Sequence, residues 1–140
     1  MTIINSYLTF NGNCSEAMQF YHKCLGGELN FQTIVESPLC EKMPVKMKKC
    51  ILHSTLTNKN LILMGSDMVS EKGLLKGNAI SLMLNCNSEK EIKVYYKKLS
   101  KGGDQTHPLV DTFWNALFGG LTDKYGNHWL LNYDKKLKIK

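Results

Sequence analysis

Apolar and polar residues alternate along Tyr7-Leu8-Thr9-Phe10, the two-residue period of a strand with one buried face. The pattern then changes period. Asn13 with Glu16 three residues on reads as a capping box, and Ala17, Phe20, Tyr21 and Cys24 fall on one face of the helix it would start. Gly26-Gly27 supplies residues that tolerate the left-handed stop of that helix. A strand over Glu28 to Val35 follows, broken by Ser37-Pro38-Leu39-Cys40, and Glu41 to Lys46 reads as a loop. Met47 to Leu56 and Leu61 to Met64, on either side of the turn Thr57 to Asn60, complete the half as a hairpin.

The same order then returns. Ala79 to Cys86 predicts a more enclosed strand, Ser88 with Glu91 fits the capping box, and Ile92, Tyr95, Tyr96 and Leu99 share a helix face before Gly102-Gly103. A short extended piece around Gln105-Thr106 ends at His107-Pro108. Phe113 to Leu121 and His128 to Tyr133, joined by the turn Asp123 to Gly126, predict a second hairpin. Leu8 and Leu82 are 74 residues apart, and Phe20-Tyr21 and Tyr95-Tyr96 are 75 apart, so the chain is a duplication.

Neither half is large enough to bury a core alone. The expectation is an α+β fold of two tandem β-α-β-β-β modules within one domain of 140 residues. Module one spans about 1–67, the joint 68–78, module two about 79–133 and a basic tail 134–140.

Composition narrows the functional classes. The formal charge of +6 arises from lysine alone, since the chain has no arginine, the usual residue for bidentate phosphate and guanine contacts. The lysine clusters lack interleaved aromatic residues, so no specific nucleic-acid partner is expected. Five cysteines without C-x-x-C spacing point to reduced thiols in a cytoplasmic protein, and no apolar run is long enough for a membrane helix. Glycine-rich nucleotide loops, the phosphate-binding G-x-x-x-x-G-K-[ST] and the nucleophile elbow G-x-S-x-G are all missing.

The run Asn13-x-x-x-Ala17-x-x-Phe20-Tyr21-x-x-x-Leu25-Gly26-Gly27 and the closing Phe113 to Gly119 with Asp123-Lys124-Tyr125-Gly126-Asn127-His128-Trp129 resemble the vicinal oxygen chelate superfamily. That superfamily contains glyoxalase I, the bleomycin-resistance proteins and extradiol dioxygenases, and the match is closest to its PhnB-like branch. The resemblance, which covers roughly Ile3 to Tyr133, implies curved mixed sheets around a cleft, a homodimer, and metal ligands from the first and last strands of each module. Carried onto this chain, the first ligand position falls near Asn5, beside Ser6 and Tyr7, and the glutamate of the last strand becomes Leu130. Neither Leu61 to Met64 nor Ala79 to Leu84 carries a carboxylate or imidazole. Three or more converging donors are needed for a catalytic metal, so no metal and no cofactor are expected.

PhnB-like proteins are often labelled demethylubiquinone methyltransferases, a label these residues do not support. The resemblance implies a metal-free homodimer that holds a small organic ligand in an aromatic cleft lined by Tyr7, Met64, Trp114, Phe118, His128 and Leu130. The alternative is a lyase, isomerase or dioxygenase-like enzyme acting through His128, His53 or another metal set. Each residue also has a plainer reading. Trp114, Phe113, Phe118 and Trp129 suit an aromatic core, Met64 and Met83 suit packing on strand faces, and His53 and His128 suit ordinary packing or exposure. His22 reads as an exposed helical residue and His107 as a turn residue.

Overall fold

The strand read from Tyr7 to Phe10 forms as β1 (Ser6–Thr9), and the chain turns directly into α1 (Cys14–Leu25). β2 (Glu28–Thr33), β3 (Ile51–Asn58) and β4 (Leu61–Ser66) follow in the computed structural model, which describes residues 2–33, 50–68 and 73–135. These elements belong to one compact unit, Met1–Leu75, whose sheet has the order β1-β4-β3-β2. Only β1 and β4 run parallel in it.

The second unit, Lys76–Lys140, repeats the plan with β5 (Leu82–Asn85), α2 (Glu89–Leu99), β6 (Asp104–Asp111), β7 (Ala116–Thr122) and β8 (His128–Asp134). Its sheet order is β5-β8-β7-β6, with β5 parallel to β8. The architecture is α+β, two tandem β-α-β-β-β modules, each an open mixed sheet carrying one helix.

In each unit the helix covers one sheet face and leaves the other uncovered by it. In unit one Phe10, Ala17, Met18, Tyr21, Leu56 and Leu63 are buried on the helix side, where the side chains of Met18 and Phe10 close over Gly65. In unit two Ile92, Tyr96 and Leu99 pack with Leu121, Trp129 and Leu131. Fully burying each such side chain stabilises the fold by about 1.5–3 kcal/mol. Phe20 is only half-buried, so the inner face of α1 is Cys14, Ala17, Met18, Tyr21, Cys24 and Leu25.

The two helices start by different means. At α2 the expected Ser88 cap forms, with Glu91 N–H donating to Ser88 Oγ at 3.1 Å, while the Glu91 side chain reaches past the cap and accepts Asn87 N–H at Oε1 at 3.0 Å. At α1 the expected cap does not form. Asn13 has φ −112 and ψ 22, outside the extended region that aims a capping side chain, and makes no side-chain cap. The acceptor comes instead from Asp67, one residue beyond β4. Its Oδ1 takes the N–H groups of Gly12 and Cys14 and its Oδ2 that of Ile51, each at 2.9 Å.

The duplication is better aligned in the strands at 76 residues than at 74. Phe10 N–H donates to Ser66 O and Cys86 N–H to Asn132 O, so Leu8 corresponds to Leu84 and Tyr7 to Met83. Gly27 and Gly103 occupy matching places after the helices. A Cβ there would lie 2.3 Å from Thr57 O or 2.2 Å from Thr122 O, a separation that no side chain permits.

Several expected bounds move. β3 runs on through Thr57 and Asn58, leaving Lys59 at φ 56 to make the turn, and β4 extends to Ser66. β5 is shorter than Ala79 to Cys86. Residues 113–115 form the turn before β7 and are not strand. His107 and Pro108 do not end an extended piece; they lie inside β6, an edge strand, where a proline nitrogen costs no ladder hydrogen bond. The expected features at 34–49 and at 136–140, including the break at Cys40 and most of the basic tail, lie outside the described residues.

Candidate functional site

On the open face of unit one, strand pairing sets Asn30, Thr55, Met64 and Tyr7 in a row across four strands. His53 lies next to Thr55 on the same face of β3, opposite Gln32. Tyr7 Oη is 3.3 Å from His53 Nδ1, and Thr55 Oγ1 is 3.2 Å from His53 Nε2. The Tyr7 and His53 rings are tilted by 30° with centroids 5.7 Å apart. Both imidazole nitrogens are therefore engaged, and the phenol that holds one of them is 51% exposed.

The open face of unit two is built by the alternation of β8. Trp129, Leu131 and Tyr133 are buried on the helix side, while His128, Leu130 and Asn132 face away from it. Cross-strand pairing adds Met83 beside Leu130, Phe118 beside Asn132, and Thr122 beside His128. Thr122 Oγ1 and His128 Nδ1 are 2.9 Å apart. Gly120 faces Leu130 at the centre, and a Cβ on it would meet Leu130 Cδ2 at 3.1 Å and His107 Nδ1 at 3.4 Å. Trp114 stands edge-on to Phe118 with centroids 6.2 Å apart, and Phe113 edge-on to Trp114 at 4.9 Å. This face is a shallow apolar surface with imidazoles at its margin.

The profile of the family described as 3-demethylubiquinone-9 3-methyltransferase matches residues 2–132, nearly the whole chain. The chain belongs to this family. A solved relative, protein PA1353 from Pseudomonas aeruginosa, is 36% identical with a TM-score of 0.83, covering 96% of this chain and 98% of that one. The PhnB protein from Bacillus cereus is 28% identical with a TM-score of 0.72, covering 94% and 99%. Protein YjdN from Escherichia coli K12 is 29% identical over 143 residues, 95% of this chain and 96% of its own. A glyoxalase/bleomycin resistance protein/dioxygenase family enzyme from Burkholderia phytofirmans, only 12% identical but with a TM-score of 0.60 over 92% and 97%, shares the fold. Both sheet faces thus belong to a PhnB-like member of this family whose fold is shared with a glyoxalase/bleomycin resistance protein/dioxygenase.

Of the residues singled out from sequence, the structure places Tyr7, Met64 and His53 together on one face, and Phe118, His128 and Leu130 on the other with Trp114 at its edge. Trp129 belongs to the core, where its Nε1–H donates to Asp123 Oδ2 at 2.8 Å. His22 is half-buried and lies 2.9 Å from Gly27 O, a helix-end contact and not a free surface group.

The sequence pattern does not single out His107, Gly120 or Thr55 for either face, and it reads Met83, like Met64, as packing on a strand face. For His107 the reason is specific. The pairs Asp104 with Thr122, His107 with Gly120 and Val110 with Phe118 put every third residue of β6 on one face, because two register shifts interrupt the period of two. Tyr96 Oη holds this irregular stretch by donating to His107 O at 2.6 Å and to Gly120 O at 3.2 Å.

The resemblance implies metal ligands from the first and last strands of each module, and here those strands pair Tyr7 with Met64 and Met83 with Leu130. A phenol, two thioethers and an alkyl chain do not fit a divalent cation that takes imidazole and carboxylate donors. Among the described residues no group of three His, Cys, Asp or Glu side chains is placed to hold one.

Cys14 and Cys86 do not supply a nucleophile either. Burial pushes Cys14 from an ordinary 9.0 up to about 11, against a lowering by Ser54, and pushes Cys86 up to about 12, with Glu91 adding to the rise. The neutral thiol is the form the native state favours. Its contribution to stability is present below the ordinary thiol value and is lost as pH rises from 9 through 11 to 12. Urea unfolding midpoints should therefore fall over that range, and Cys14 and Cys86 should resist alkylation at neutral pH unless denaturant is added, as intact-mass spectrometry would read.

Proposed function

We propose that this protein binds a small organic molecule, without a metal ion, on the open sheet faces of its two units. The observation that carries the reading is the face of unit two, where Met83, Phe118 and Leu130 surround a glycine floor and Trp114 stands at the edge. Clefts for small ligands combine such apolar lining with a few polar groups, here His128, Thr122 and His107. The reading includes a homodimer in the cytoplasm. Free thiols at Cys14, Cys24, Cys50 and Cys86 support the compartment. No helix among the described residues is long and apolar enough to cross a membrane.

The family description names methyl transfer. Our reading omits it, because the junctions from strand to helix, 10–13 and 86–88, contain one glycine between them, Gly12. Neither offers the glycine-rich turn that lets a nucleoside-bearing cofactor approach the backbone.

A second reading, a lyase, isomerase or dioxygenase-like enzyme acting through His128, His53 or another metal set, is favoured by one observation, the hydrogen-bonded line Tyr7-His53-Thr55. Native mass spectrometry of tag-free protein separates the two. The binding reading expects a dimer free of metal that takes up organic fragments, with the fluorescence of half-exposed Trp114 responding and that of buried Trp129 serving as background. Stoichiometric metal in each protomer would move the enzyme reading ahead. A library of apolar and aromatic fragments that gives neither adducts nor a Trp114 response would end the binding reading.

A further inference from the structure

A neutral imidazole offers one donor nitrogen and one acceptor nitrogen. If Tyr7 donates its O–H to His53 Nδ1, the ring proton sits on Nε2 and is donated to Thr55 Oγ1, so the three side chains form one directional chain. The exposed Tyr7 oxygen then presents only lone pairs outward. Beside it lies the Met64 thioether, paired with both Tyr7 and Thr55, which favours an apolar or aromatic body. An outward acceptor next to a soft apolar surface selects a ligand that is itself an O–H donor on an apolar frame.

We propose that this face binds a weakly acidic hydroxyl compound, a phenol or an enol, as its anion, with the proton passed through Tyr7 to His53. The inference rests on the reading that the open faces hold small organic molecules. In the step, the ligand O–H breaks and its proton joins the Tyr7 oxygen, while the Tyr7 O–H breaks and its proton joins His53 Nδ1. The products are a ligand oxyanion, hydrogen-bonded by Tyr7, and an imidazolium that donates from Nδ1 to Tyr7 and from Nε2 to Thr55. Every donor and acceptor keeps a partner, and no co-reactant is needed.

Other charges on the described part of this face are few. Asn30, Gln32, Thr55, Thr57 and Met64 do not ionise, and Glu28 pairs with Thr57, four residues along β3 from His53 and so roughly 13 Å away. α1 covers the opposite face of the sheet, and the Asp67 carboxylate is turned to the N–H groups of Gly12, Cys14 and Ile51. Among the described residues, the His53 imidazole is thus the proton acceptor within reach of Tyr7.

The test uses 4-nitrophenol, whose neutral and anionic forms differ in colour, titrated with the full-length protein at a pH below the probe's own pKa. Expected is growth of the long-wavelength phenolate band with protein, together with a change of the His53 ring nitrogen shifts to those of an imidazolium. The His53→Gln variant keeps a hydrogen-bonding group but accepts no proton, so it should bind the probe in its neutral colour. Tyr7→Phe should weaken binding about tenfold, equivalent to about 1.4 kcal/mol. The nitrogen shifts are read on the unaltered protein, so they test the proton transfer even if neither variant folds.

A probe that binds without a phenolate band, a band that persists in the His53→Gln variant, or binding indifferent to Tyr7→Phe would each overturn the proposal. If 4-nitrophenol fails to bind while other fragments still move Trp114 fluorescence, the proton relay falls and the binding reading stands. If no fragment binds at all, both fall.

Discussion

Replacing Asp67 with alanine should destabilise the protein by about 3–5 kcal/mol, because three N–H groups lose a charged acceptor at once. Asp67 is only 4% exposed, and its carboxylate's bonds to Gly12, Cys14 and Ile51 are all 2.9 Å. Each buried donor left without a partner costs roughly 1–3 kcal/mol, and water reaches such a site poorly. The three bonds also join three separate pieces of unit one: the turn out of β1, the first turn of α1 and the start of β3. Asp67→Asn keeps an acceptor oxygen but turns an amide N–H₂ toward donors, so about half the loss should remain. Ser88→Ala, which removes the cap of α2, should cost only about 1 kcal/mol. Urea unfolding of the three variants ranks them, and an Asp67→Ala midpoint no lower than that of Ser88→Ala would refute the assignment of Asp67 as the anchor.

The two modules differ most where they are expected to match. Asp67 follows Ser66, whose carbonyl closes β1 onto β4, and Tyr133 follows Asn132, which closes β5 onto β8. A carboxylate at the first place caps the neighbouring helix from outside. A phenol at the second place does not, and the Tyr133 hydroxyl is buried without a hydrogen-bond partner among the described residues. The capping duty in unit two therefore falls to Ser88 and Glu91, within the helix itself. The same divergence extends to the open faces: Tyr7 in unit one is Met83 in unit two, and Thr55 is matched by Gly120. One face became polar and hydrogen-bonded, the other apolar with a bare backbone floor.

Which parts of this were legible in the sequence follows from the range of the interactions. The period of β8 alone separates Trp129, Leu131 and Tyr133 from His128, Leu130 and Asn132, so His128 and Leu130 could be assigned to one face without coordinates. Ser88 and Glu91 are three residues apart, and their contact is equally local. Asp67 lies more than fifty residues from the helix start it caps, and nothing near Asn13 announces it. His107 was hidden by the register shifts of β6, which replace a period of two by one of three. The Tyr7–His53 contact joins β1 to β3 across β4, so it needed the sheet order β1-β4-β3-β2 and not merely the strands.

Gly120→Val should abolish most binding on unit two while leaving the fold intact. The residue lies in a strand without a left-handed φ, and a Cβ there meets the flexible end of Leu130 at 3.1 Å and His107 Nδ1 at 3.4 Å. Those side chains can yield by a few tenths of an ångström, and a β-branched residue suits a strand, so the stability change should stay within about 1 kcal/mol. Its methyl groups would occupy the floor between Leu130 and His107, and the affinity for any fragment that moves Trp114 fluorescence should fall at least tenfold, about 1.4 kcal/mol. The adjacent Gly119 supplies the opposite case. It faces α2, where a Cβ would lie 3.0 Å from Tyr96 Cε1 and 3.2 Å from the backbone of Leu109, so Gly119→Ala should lower stability and spare affinity. Two neighbouring glycines pointing to opposite faces thus divide folding from binding. Equal fragment affinity in Gly120→Val and the unaltered protein would mean that the ligand does not rest on this face.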